Sequence, residues 1–202
     1  MHKGRGLIRD PSIAVRLMLR EGCAEVTPNL RAELSLLEGC YEHGNKVCCE
    51  QSALAFWAVL NGLISEEEAA LYLNWRAFEE YVERALMEIG MNVVKHLRIY
   101  VNGKLAEYDV VGYDGKDVVV VECKRWNKMG WKEVLKIAEQ HRRKVEGGKY
   151  YLRKFGKVAV PMVVVLRSKV PKEAPSLIVP IKYLNEVLSN LDVLKYEIGV
   201  PL

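Results

Sequence analysis

The chain has 202 residues, is 50% hydrophobic and 28% charged, and carries a formal net charge of +4. That is enough apolar material for one good core, or for one core and a small accessory unit. No apolar run approaches the ~18 residues of a membrane span, and the charged start at Met1-His2-Lys3-Gly4-Arg5 is no secretory signal, so an intracellular, cytoplasmic protein without a membrane partner is expected.

Asp10-Pro11-Ser12 starts a helix to about Glu21, Thr27-Pro28-Asn29 starts another to about Leu37, and Gln51 to Leu60 forms a third, closed by Asn61-Gly62. This helical unit is assigned to residues 1–64. Its apolar stripes are explained by helix packing or dimerisation, with a DNA-reading helix-turn-helix as the less favoured alternative. Four of the five cysteines, Cys23, Cys40, Cys48 and Cys49, lie here with His43 among them. Their spacing does not supply two zinc knuckles, so buried thiols are expected, with disulfides next and a metal last.

Residues 65–202 are assigned to a second domain. Ser65-Glu66-Glu67-Glu68 is a capping-box start, and Phe78, Val82, Ala85, Leu86 and Ile89 keep helical spacing up to Gly90, predicting one long helix. A strand over Val93 to Val101 follows, then a tight turn at Asn102-Gly103. Next come Glu107-Tyr108-Asp109-Val110-Val111 and Val118-Val119-Val120-Val121-Glu122-Cys123-Lys124, joined at Asp114-Gly115. Read as a two-residue type I′ turn, Asp114-Gly115 sets Asp109 opposite Val120, with Glu122 as a diagonal neighbour about 7 to 8 Å away. Leu105, Glu107, Asp109 and Val111 then share a face, and Glu122 shares one with Lys124.

Val-rich strands normally reject charge, so two acids and a lysine at their ends need a reason. Two carboxylates converging on one point repel unless a cation lies between them, and oxygen-only ligation suits Mg²⁺ or Mn²⁺. Asp109 and Glu122 are the candidate ligands, with the Cys123 carbonyl as a further one. Lys124 is placed to assist an attacking water and to neutralise charge on a phosphoryl transition state. An Asp/Glu/Lys ion-pair network at a sheet edge is the competing reading.

An amphipathic helix from about Trp131 to Val145 and a buried strand from Val158 to Leu166 follow. Val170 to Pro175 is a Pro-punctuated connection, Leu177 to Ile181 a short strand, and Lys182 to Leu191 a helix. Pro161 and Pro180 favour sheet edges or strand starts.

In this order of elements the sequence resembles the PD-(D/E)xK nuclease superfamily, and within it looks most like archaeal Holliday-junction resolvases and Mrr-type enzymes. Phe78-Glu79, Glu107-x-Asp109-Val110-Val111 and Val121-Glu122-Cys123-Lys124-Arg125 carry the likeness, over roughly residues 75–191. The resemblance implies an α/β, restriction-endonuclease-like core: helix, three antiparallel strands, helix and strand, in a mixed sheet flanked by helices. It implies metal ligation by Asp109 and Glu122, water activation beside Lys124, and completion of the site by Glu79, with Glu83 one turn on as a rival. Tyr108 stands where the family label has proline. Some relatives place a Gln that contacts nucleic acid or the metal site in the region where this chain has Gln140, and resolvase-like relatives act as dimers, so a homodimer is expected by analogy.

Residues 124–157 hold twelve Lys or Arg against three acids, a net of +9, while the remainder sums to −5. This local excess, with Arg125, Lys128, Lys132, Arg142 and Arg143 as candidate contacts, suits a phosphate backbone. Trp126, Trp131, Tyr150 and Tyr151 are interleaved for stacking on bases. The sum is a Mg²⁺- or Mn²⁺-dependent DNA endonuclease; the alternative is a non-catalytic nucleic-acid-binding protein with the same fold.

Overall fold

The computed structural model describes residues 7–101, 103–126, 130–167, 171 and 173–202. Asn102 of the first turn, Lys128 of the basic run, the first residues of the chain, and Val170 and Lys172 of the Pro-punctuated connection lie outside them. The chain forms two compact units, Met1–Tyr81 and Val82–Leu202. The division falls inside a helix, later than the 64/65 boundary read from the capping box.

In the first unit, α1 (Pro11–Glu21) begins where the Asp10 carboxylate accepts the Ile13 N–H at 3.1 Å, with proline in the first turn. α2 (Pro28–Ser35) is capped by Thr27, and α3 spans Gln51–Leu60. The unit is not purely helical, as had been expected. Strands β1 (Cys23–Ala24), β2 (Cys40–His43) and β3 (Lys46–Cys49) form an antiparallel sheet in the order β1-β3-β2. The thiols expected to be unpaired are joined across that sheet, Cys23 to Cys48 and Cys40 to Cys49. Side chains alternate along a strand, so adjacent Cys48 and Cys49 point to opposite faces and each secures one neighbouring strand.

Ser65 caps α4 (Glu66–Tyr72) through a 3.1 Å bond from the Glu68 N–H, but the expected long helix breaks at Leu73-Asn74. The Asn74 side chain accepts the Ala77 N–H at 2.9 Å and restarts the chain as α5 (Trp75–Glu88). Leu73 is extended, which ends α4 before Asn74 starts α5.

In the second unit the sheet runs β4 (Asn92–Val101), β5 (Lys104–Tyr113), β6 (Asp117–Lys124), β7 (Val158–Val165) and β8 (Leu177–Pro180). β4, β5 and β6 are antiparallel, while β7 is parallel to both β6 and β8. A parallel return needs a crossover, supplied by α6 (Trp131–Gly147) and α7 (Lys149–Leu152). β6 and β7 are buried on both faces, which is why they read as unbroken valine runs. The chain ends in a 3₁₀ turn (Ile181–Tyr183), α8 (Leu184–Ser189), α9 (Leu191–Ile198) and β9 (Val200–Pro201), where one helix had been expected.

Helices cover both faces of the sheet. Val134 and Ala138 of α6 pack on Val163, Val165 and Ile178, and Val145 packs with Val111, Val118 and Val120. Gly112, between Val111 and Tyr113, faces the other way, against Leu86 of α5. The expected α/β order of helix, three antiparallel strands, helix and parallel strand, in a mixed sheet flanked by helices, is present.

Pro161 occupies a central strand rather than an edge. It is tolerated because β9 pairs with β7 only at Val158 and Ala159, and β8 only from Met162 onward, so Pro161 falls in the gap between the two partners. Pro180 does end an edge strand, as expected.

Candidate active site

The turn between β5 and β6 is displaced from its expected position. The Asp114 carboxylate accepts the N–H groups of Lys116 and Asp117 at 2.8 and 2.7 Å, and Gly115 takes φ +90°. Asp114 therefore stands outside the loop, and Gly115-Lys116 is its two-residue centre. The ladder pairs Val111 with Val120 and Val110 with Val121, so one further step places Asp109 across from Glu122 rather than across from Val120. The register moves by two residues, which preserves the face.

Alternation along β5 does not hold throughout. Tyr108 and Val111, three apart, enter one hydrophobic cluster, although regular pleating would send them to opposite faces. The irregularity is centred on Asp109. β4 pairs Lys95 with Val110 and Leu97 with Tyr108, but His96 between them has φ +50° and makes no ladder pair with Asp109. The expected common face of Leu105, Glu107, Asp109 and Val111 is thereby broken. With the ladder parted, the Cys123 N–H is donated to Asp109 Oδ2 at 2.7 Å.

Glu122 is held by two ammonium groups. Lys124 Nζ lies 2.7 Å from Oε1, and Lys144 Nζ, arriving from α6, lies 2.6 Å from Oε2. Lys144 also donates to the Glu107 carbonyl at 2.7 Å. Its helix is fixed there by Tyr108, whose hydroxyl donates to the Lys144 carbonyl at 2.8 Å. The same contact requires glycine after the helix, because a Cβ on Gly148 would collide with that hydroxyl.

These contacts set the charges. Burial and the neighbouring Glu122 carboxylate raise the Asp109 carboxyl above its ordinary range, against the Cys123 bond and the two lysines. Burial would also raise Glu122, but the Lys144 charge and the Lys124 hydrogen bond outweigh it, and its carboxyl is lowered. The pair thus keeps a firm negative charge on Glu122, while Asp109 is the readier to take a proton.

A cavity of about 250 Å³ opens beside these groups, lined by Glu122, Lys124, Ile137, Gln140, His141 and Lys144. His141 is buried, with Nε2 2.8 Å from the Val120 carbonyl oxygen. Nδ1 is buried without a hydrogen-bond partner among the described residues, and burial lowers the ring's pKa to about 4.

Of the other expected site residues, Cys123 turns its side chain into the core. Glu79 is buried on the part of α5 that belongs to the first unit, and Glu83, in the second, pairs with Lys95 at 2.7 Å. Glu107 gives its carboxylate to Arg98 at 2.7 Å and His96 at 3.2 Å, and meets the site only through its carbonyl.

The basic run divides. Arg142 is turned inward, its guanidinium bonding the Ile198 carbonyl at 2.5 Å, the Pro175 carbonyl at 3.3 Å and Glu146 at 2.8 Å, so it is removed from the expected nucleic-acid contacts. Arg125 is half-buried, whereas Lys132 and Arg143 are exposed. Trp126, Trp131, Tyr150 and Tyr151 are all exposed, with Lys132 over the Trp131 ring and Arg153 over that of Tyr150.

Lys144 and His141 were read from the sequence as part of the basic run, and their place in the site was missed. The signal was present in the spacing: Val134, Ala138, His141 and Val145 form one buried stripe, with a histidine at an apolar position.

Hard oxygen donors on Asp109 and Glu122, with an unpartnered buried nitrogen beside them, fit a divalent cation in kind. As arranged, ammonium groups hold both Glu122 oxygens, and no cluster of three His, Cys, Asp or Glu side chains among the described residues is assembled for a metal. Lys144 must leave Oε2 for an ion to be held there.

No family model matches the chain, and no curated protein sequence matches it. Among solved structures, it is similar to a protein of unknown function, AF1548, at 21% identity and TM-score 0.43, over 59% of this chain and 67% of that one. It is similar to the small subunit of the heterodimeric restriction endonuclease R.BspD6I at 14% identity and TM-score 0.42, over 63% and 75%. It is also similar to Can2 from Sulfobacillus thermosulfidooxidans, solved with cyclic tetra-adenylate, at 16% identity and TM-score 0.38, over 90% of this chain but 48% of Can2. The chain thus spans about half the length of Can2. At these scores none of the likenesses fixes a function.

Proposed function

We propose that this protein is a divalent-metal-dependent nuclease that hydrolyses phosphodiester bonds, with DNA as the substrate and endonucleolytic cleavage as the reaction. The observation that carries the reading is the meeting of Asp109 and Glu122 at the parted end of the β5–β6 ladder, with Lys124 2.7 Å from Glu122 beside an open cavity. Asp109 and Glu122 would hold the ion, Mg²⁺ or Mn²⁺, which supplies Lewis acidity and a more acidic water.

The chain's own part is positioning and charge. Glu122 keeps the Lys124 ammonium at the cavity instead of in bulk water, ready to meet charge developing on a phosphoryl group. Lys144, once released from Glu122, places a second ammonium on the same wall, and Gln140 is an exposed donor at the rim. Outside the cavity, Lys132, Arg143 and the exposed aromatic residues offer phosphate and base contacts. Cutting both strands requires two such sites, which favours a homodimer.

A cleavage screen over linear, flapped and four-way DNA in Mg²⁺ and in Mn²⁺ tests the reading. Cleavage lost in Asp109→Asn and Lys124→Met, with binding retained, is the expected result. Salt-sensitive binding with no cleavage in either metal favours the second reading, a non-catalytic DNA-binding protein, for which the lysine-held Glu122 is the supporting observation.

A further inference from the structure

His141 occupies a place that packing alone would give to an apolar residue. It lies on the buried stripe of α6 between Ala138 and Val145, with 2% of its surface exposed. Leucine or phenylalanine would fill such a position without bringing polar atoms into the core. The imidazole brings two, and among the described residues only one of them has a hydrogen-bond partner.

The hydrogen bond that exists decides the ring's chemistry. A backbone carbonyl can only accept, so the 2.8 Å contact with Val120 means that Nε2 carries the proton. In the neutral ring the lone pair then belongs to Nδ1. Nδ1 is buried without a partner among the described residues, and it lies 3.7 Å from Glu122 Oε2. Two acceptors facing each other at that distance lack a positive centre that serves both. Lys144 serves Oε2 at 2.6 Å, and no hydrogen bond joins it to Nδ1.

A ring whose far N–H is tied to a backbone carbonyl, with its near nitrogen bare beside a carboxylate, is oriented as metal-binding histidines are. Val120 and Glu122 are two residues apart on β6, so the strand that presents the carboxylate also holds the imidazole. We propose that His141 Nδ1 is a ligand of the divalent ion at this site, making it a mixed nitrogen and oxygen site that prefers a first-row transition ion such as Mn²⁺ over Mg²⁺. Mg²⁺ demands oxygen donors, whereas imidazole suits the later ions. The inference rests on the reading that Asp109 and Glu122 hold a divalent cation. It adds that loading the site frees the Lys144 ammonium from Glu122 Oε2.

Pulsed electron paramagnetic resonance of Mn²⁺ bound to the whole chain reads the ligand directly and needs no substrate. With ¹⁵N-labelled histidine, the bound ion should show ¹⁵N coupling that is lost in His141→Ala and kept in His96→Ala. Calorimetric titration should give Mn²⁺ an advantage over Mg²⁺ of about tenfold or more, on the scale at which histidine environments act, collapsing in His141→Ala. The labelled wild-type protein answers the question even if His141→Ala does not fold. Mn²⁺ that binds and is weakened by Asp109→Asn but shows no histidine coupling overturns the His141 assignment and leaves the carboxylate site standing. Coupling that persists in His141→Ala overturns it equally. A wild-type protein that takes up no Mn²⁺ removes the divalent site itself, and this inference with it.

Discussion

Replacing Lys144 with methionine separates its charge from its packing. Methionine keeps an apolar stem near the Tyr108 ring, from which the ammonium lies 5.1 Å, but it loses the bonds to Glu122 Oε2 at 2.6 Å and to the Glu107 carbonyl at 2.7 Å. At an effective dielectric of about 20, unit charges at this separation attract by about 6 kcal/mol before solvation is counted. The Lys144 and Glu122 side chains are 23% and 16% exposed, and Glu122 retains Lys124 at 2.7 Å. The net loss therefore falls near 2 kcal/mol, above an exposed pair and below the ~3–5 kcal/mol of a buried ion left alone. For a chain of this length that is about 4–8 °C in melting temperature.

The pH dependence identifies the source of the loss. Burial opposes ionisation of Glu122, but the Lys144 charge and then the Lys124 bond lower its folded pKa below the unfolded value. A lowered carboxyl stabilises the fold above the unfolded pKa, and that stability is lost as pH falls through the folded value. Urea denaturation should show the full gap between wild type and Lys144→Met at about pH 7 and a narrowing gap below about pH 4. The same variant should bind Mn²⁺ more tightly, since no ammonium contends for Oε2. An equal gap at both pH values, or weaker metal binding in the variant, would refute the account of Lys144 as an internal counter-cation.

Asp109→Asn should abolish cleavage by at least about 10²-fold, as loss of a preorganised charged group does. It should also stabilise the protein at neutral pH, because burial and then Glu122 raise the Asp109 pKa. A raised carboxyl costs stability as pH climbs through its folded value, so melting curves should converge with wild type below about pH 4. Removing the Cys23–Cys48 disulfide, which spans 25 residues, in the double variant Cys23→Ala with Cys48→Ala should cost the first unit about 3 kcal/mol, read by denaturation against wild type. Arg142→Met should lose about 1–3 kcal/mol of stability through the orphaned carbonyls of Ile198 and Pro175 while leaving DNA affinity unchanged. Arg143→Gln should do the reverse, lowering the salt slope of DNA binding by about one with little change in melting.

What the sequence disclosed was what local chemistry specifies. Asp10 and Ser65 cap the helices they announce, and the valines of β6 are apolar on both faces because the strand is central. The misses arose where a side chain competed with the backbone or where a distant partner decided the outcome. Asp114 captured two N–H groups and shifted the turn, and Asn74 captured one and divided a helix. β1, β2 and β3 are too short to announce themselves, and they are stapled by bonds between cysteines up to 25 residues apart. Asp109 and Glu122 were legible as a pair because two strands joined by a tight turn bring their far ends together; the register, the break in alternation at Asp109 and the charge state were not, since half of that charge arrives from α6.

That helix makes the site more than two strands and a lysine. Its stripe is pinned at three points: Ser176 Oγ donates to the Ala138 carbonyl at 2.7 Å, His141 donates to Val120 at 2.8 Å, and Tyr108 donates to the Lys144 carbonyl at 2.8 Å. Pinned in this way, α6 delivers Lys144 to one oxygen of Glu122 and sets Nδ1 of His141 3.7 Å from that oxygen, without a hydrogen-bond partner among the described residues. Asp109, Glu122 and Lys124 alone would carry a net negative charge and recruit any cation. With Lys144 present the carboxylates are already compensated, so on the proposed reading a divalent ion would displace an ammonium and gain a nitrogen ligand in return. An Mg²⁺ ion, which profits little from imidazole, makes that exchange poorly, and a transition ion makes it well. On the proposed reading, metal choice at this site would be governed by α6, the helix that follows β6.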